Sequence, residues 1–66
     1  MRIELNGAPR EVDEGRTLPA LLAELGAAPE HVAVEHNGEI LERTDFARVV
    51  LRAGDRLEIV RFVGGG

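Results

Sequence analysis

A chain of 66 residues without cysteine makes one small domain near the lower limit for folding without a metal or a disulfide, and it leaves no side-chain thiol for catalysis. The net charge of −4, the two aromatics (Phe46 and Phe62) and the lack of any basic run argue against nucleic-acid binding. No apolar stretch reaches the length of a membrane span and no signal peptide opens the sequence, so a soluble, cytoplasmic domain with no membrane partner is expected.

From the start, Arg2 to Leu5 alternates charged and apolar residues, which places Ile3 and Leu5 on one face of a strand. Asn6-Gly7 suits a tight hairpin turn, and Arg10-Glu11-Val12 is the expected return strand, with Pro9 near its start or on an edge. Asp13 to Arg16 reads as a turn. Thr17 can then cap a helix whose first turn holds Pro19 and whose C-terminal cap is Gly26. Leu18, Leu21, Leu22 and Leu25 fall at i, i+3, i+4 and i+7, one apolar stripe that belongs to a core. So short a helix is marginal alone, and packing on a sheet must stabilise it.

Pro29 and Glu30 lead into a strand over His31 to His36, with Val32 and Val34 on one face. Asn37-Gly38 repeats the turn signal before a short strand, Glu39-Ile40-Leu41. Thr44 to Arg48 predicts a single helical or 3₁₀ turn capped by Thr44, with Phe46 tucked inward. Val50 and Leu51 are expected in the core, Ala53-Gly54-Asp55 makes a turn, and Leu57 to Phe62 is the last strand. The economical arrangement is α+β, one main helix packed across one face of a mixed sheet. On the last strand, Leu57 and Ile59 share one face, and Glu58, Val60 and Phe62 share the other. If the first pair meets the helix, Val60 and Phe62 lie on the open face as a candidate docking patch.

The sequence then ends in Gly64-Gly65-Gly66. Residues 1–63 are read as the domain and 64–66 as a flexible tail. Without Cβ atoms this stem can thread a passage too narrow for side chains, and from Val63 onward it spans roughly 13–14 Å when extended. An inert, frayed end has the same composition, and the glycines alone do not separate the two readings.

Nothing in the pattern points to a catalytic or metal site within the chain. His31 and His36 stand five apart, so on a regular strand they point to opposite faces. Glu11, Asp13 and Glu14 read as a solvated turn, and the terminal glycines lack the lysine and following helix of a phosphate-binding loop. Every basic side chain is arginine, which leaves no ε-amine for chains of the protein joined to itself.

Val32-Ala33-Val34-Glu35, Asn37-Gly38-Glu39-Ile40, Gly54-Asp55-Arg56 and the closing run Leu57 to Gly66 resemble the sulfur carrier proteins of thiamine (thiazole) biosynthesis, members of the ubiquitin-like β-grasp family. The likeness runs along essentially the whole chain, and the closing run is its specific part. His36 departs from it, standing where the family usually has an aliphatic residue. The resemblance implies a carrier with no catalytic residue or cofactor of its own. An E1-like adenylating enzyme would use ATP and magnesium to activate the carboxyl of Gly66, and sulfur supplied through a cysteine desulfurase would convert it to a thiocarboxylate. Thiazole synthase would be the acceptor, with Gly64 and Gly65 threading into the partner. Two rivals share the fold: the small subunit of molybdopterin synthase, usually longer and with proline before Gly-Gly, and a ubiquitin-like modifier of other proteins. The acidic residues 1–42, with nine carboxylates against three arginines, and the five arginines of residues 43–66 could orient either kind of encounter.

Overall fold

The computed structural model describes residues 1–62. Five strands form one mixed sheet: β1 (Arg2–Leu5), β2 (Ala8–Glu11), β3 (Val32–His36), β4 (Glu39–Ile40) and β5 (Arg56–Arg61). Their spatial order is β2-β1-β5-β3-β4, so the last strand lies in the middle. It pairs parallel with β1 and antiparallel with β3. A single α-helix, α1 (Leu18–Glu24), crosses one face, and short 3₁₀ turns occupy Pro29–His31 and Arg43–Arg48. This is the helix-on-mixed-sheet architecture expected of a β-grasp.

Both hairpins follow from Asn-Gly. Asn6 and Gly7 have φ of 51° and 81°, and Asn37 and Gly38 have 50° and 87°, the doubly positive geometry whose twist matches antiparallel strands. The two-residue turn brings Ala8 opposite Leu5, so the return strand begins two residues earlier than its apolar pattern suggests. Pro9 therefore sits within β2, where the edge position makes its missing N–H tolerable.

The helix begins as expected: the Thr17 hydroxyl accepts a hydrogen bond from Ala20 N–H at 3.2 Å, and Pro19 lies in the first turn. It ends in a Schellman motif. Gly26 at φ 70° donates to Ala23 O, and Ala27 N–H closes back onto Leu22 O at 2.8 Å. Leu18, Leu21 and Leu22 are at most 1% exposed and pack with Ile3, Val34, Phe46, Leu51 and Leu57 in one core, with Leu25 at its margin. Each fully buried leucine contributes about 1.5–3 kcal/mol of transfer free energy.

Two local expectations fail. The 3₁₀ turn is entered from Glu42, with no side-chain cap, so Thr44 does not cap it. Val50 is 52% exposed rather than in the core. Backbone bonds from Leu18 N–H to Val49 O and from Leu51 N–H to Arg16 O lay residues 49–51 along the helix entry like a strand. Alternation then turns Val49 and Leu51 inward and Val50 outward. Within the described residues, no helix is long and apolar enough to cross a membrane.

Candidate functional site: the open face and the last strand

The central strand β5 is two-sided. Leu57 is 1% exposed beneath the helix and Ile59 is half-buried beside it, while Glu58, Val60 and Phe62 face away. Val60 is 59% exposed because its partner across β3 is Ala33, too small to cover it. Phe62 is 55% exposed, yet its N–H donates to His31 O at 2.8 Å, so the backbone is still held in register there. Both residues read from sequence as a docking patch thus lie on the open face. Ile40, which alternation along β5 could not reveal, joins them at 80% exposure. Its register opposite Glu35 puts it on the same side of the sheet.

Several contacts fix the strand that carries this patch. Arg61, on the helix side, donates to the Leu25 carbonyl at 2.7 Å, satisfying a terminal helix acceptor with a cation. Asn6 Oδ1 accepts from Ile59 N–H at 2.7 Å where β1 has run out, its side chain taking over the role of a strand neighbour. Asn37 Oδ1 does the same for Arg56 N–H at 2.8 Å. Both asparagines look like turn residues in the sequence, and their second role is long-range, so no local signal announces it.

Just before β5, Asp55 is the one buried polar residue among the described residues, 8% exposed. Its carboxylate accepts from His36 Nε2 at 3.0 Å, Asn37 Nδ2 at 3.1 Å and Arg52 N–H at 2.9 Å. Burial pushes the carboxyl up, but these hydrogen bonds outweigh it and hold it below the ordinary aspartate value. His36 is therefore accommodated by a carboxylate partner. His31 lies at the other end of β3, exposed in its 3₁₀ turn, so the two histidines form no joint site. In the acidic turn, Asp13 pairs with Arg16 at 3.1 Å and Glu11 with the Met1 amine and Arg2, as solvated charges do. Glu24 is drawn below its ordinary value by a hydrogen bond from Arg10 and the charge of Arg16. Among the described residues, no three potential metal ligands converge.

Gly64, Gly65 and Gly66, and the boundary drawn after Val63, lie outside the described residues.

The ThiS family model matches residues 3–66. The sulfur carrier protein ThiS of Thermus thermophilus is 40% identical over 62 residues, covering 94% of this chain and 95% of that protein. A thiazole synthase of Magnetococcus marinus is 48% identical over all 66 residues. This chain spans only 20% of that relative's length. Among solved structures, the crystal structure of the thiamine biosynthesis protein (ThiS) from Geobacter metallireducens superposes with a TM-score of 0.83 at 42% identity, covering the whole of both chains.

Proposed function

The chain belongs to the ThiS family, the sulfur carriers of thiamine biosynthesis, and from that premise we propose that it carries sulfur on the carboxyl of Gly66. A terminal carboxyl titrates near 3.3–3.7 (roughly), so at neutral pH it is an anion and a poor electrophile. An adenylating partner with ATP and magnesium converts it to an acyl-adenylate, with pyrophosphate leaving. A persulfide that a desulfurase forms from cysteine then displaces AMP to give an acyl disulfide, and a thiol reductant cleaves its S–S bond to leave the thiocarboxylate. Thiazole synthase takes the sulfur for ring formation. The chain acts as co-substrate, and the catalytic groups, ATP and magnesium belong to its partners.

The observation that carries this reading is the family match, which includes the terminal glycines as well as the folded body. The role of the body is to hold β5 in place and offer Val60 and Phe62 to the partner, while Gly64 and Gly65 thread the narrow passage to its active site. Deleting Gly65 and Gly66 tests it. Sulfur transfer is expected to be abolished and the melting temperature to stay unchanged, because among the described residues the core cluster ends at Leu57 with Ile59 packed against it. A large loss of stability on truncation would make the tail structural and count against the carrier reading.

A further inference from the structure

Across the open face, the register of β3 against β5 sets Glu35 directly opposite Glu58. Like charges so placed destabilise a strand pair, and among the described residues neither carboxylate has an ion-pair partner. Together with Glu4, Gly38 and Arg56 they line a hollow of about 190 Å³, in which three carboxylates face one guanidinium. The apolar residues adjoin it. Ile40 pairs with Glu35 from the outer side, and Val60 follows Glu58 on the same face of β5.

A purely apolar patch could be covered by a second copy of the chain. Here a copy would set its own acids against this pair, on a molecule already at −4. A surface that brings a cation into the hollow removes the repulsion and covers the apolar groups in the same contact. In the sequence Phe62 stands four residues before Gly66, the residue proposed to carry sulfur, so a partner seated on this face has that residue within the span of a few residues of chain. We infer that the open face docks on a protein surface where an arginine or lysine projects between apolar groups, the cation entering between Glu35 and Glu58. The apolar groups then cover Ile40, Val60 and Phe62. This rests on the carrier reading, and the partner used to test it is thiazole synthase, the proposed sulfur acceptor.

The experiment compares binding of thiazole synthase to the wild-type chain, to the double variant Glu35→Gln/Glu58→Gln, and to a control, Glu14→Gln/Glu42→Gln, with the same change in charge away from this face. The Glu35/Glu58 variant is expected to melt at a higher temperature yet to bind about tenfold more weakly at low salt, with the gap closing as salt rises. Ile40→Ser is expected to weaken binding without that salt dependence. Equal affinity of the Glu35/Glu58 variant and wild type would overturn the inference, as would an equal loss in the control or a lower melting temperature in the Glu35/Glu58 variant. If the wild-type chain did not bind thiazole synthase at all, the carrier reading would fall first and take the docking surface with it.

Discussion

The two faces of the sheet are built from the same strands and obey opposite rules. Beneath the helix, Ile3, Val34 and Leu57 are each 1% exposed and are matched by the leucines of α1. On the other face, Ile40, Val60 and Phe62 stand more than half exposed around two facing glutamates. Because side chains alternate along a strand, β5 contributes to both faces without any residue serving both. Stability and the proposed recognition are therefore separable by mutation, one position at a time.

That separation can be broken most forcefully from the helix side. Leu21→Ala empties part of the core and is expected to cost about 2–5 kcal/mol, a large share of the stability of so small a domain. Chemical denaturation measures it, and a loss below about 1 kcal/mol would mean that the core is not where stability resides. Asp55→Ala comes next, at about 1–3 kcal/mol, because three donors lose their buried acceptor. The same residue gives a pH test. Its folded carboxyl titrates below its unfolded value, so its contribution is complete above the unfolded value of about 3.9 and is lost as pH falls through the folded value. Melting curves below about pH 4 should accordingly show a steeper acid loss in wild type than in Asp55→Asn. Identical acid limbs would remove Asp55 from the account. Phe62→Ala, on the open face, should have the smallest effect on folding, leaving circular dichroism and melting nearly unchanged. Its cost should appear in partner affinity, roughly 1–2 kcal/mol. Unfolding of this variant would reassign Phe62 to the core and erase the contrast between the faces.

What could be read in advance was whatever depends on near neighbours. The leucine stripe, the Thr17 cap, the Gly26 stop and both Asn-Gly turns each have a local cause, and each is found where its residues place it. Alternation alone also exposed Val60 and Phe62. The errors arose where the chain's surroundings overrule its pattern. Val50 belongs to an apolar run but is turned outward by its pairing along the helix entry, and Thr44 has a capping side chain that the 3₁₀ turn does not use. The Asp55 cluster and the facing glutamates were hidden for a different reason. They join residues 18 to 23 positions apart, and only the register of β3 on β5 brings them together. The chemistry assigned to Gly66 came from family likeness, since a glycine run has no chemistry of its own to display.

The central claim, that this chain is a carrier whose reactive group is its last carboxyl, is tested most directly by intact mass. Purified protein is incubated with the adenylating enzyme, ATP, magnesium, a desulfurase with cysteine and a thiol reductant, and the product is fragmented to locate any change. The account predicts a gain equal to the replacement of one oxygen by sulfur, confined to Gly66 and absent when ATP is withheld. An unchanged mass, or the same gain in a chain lacking Gly65 and Gly66, would contradict it.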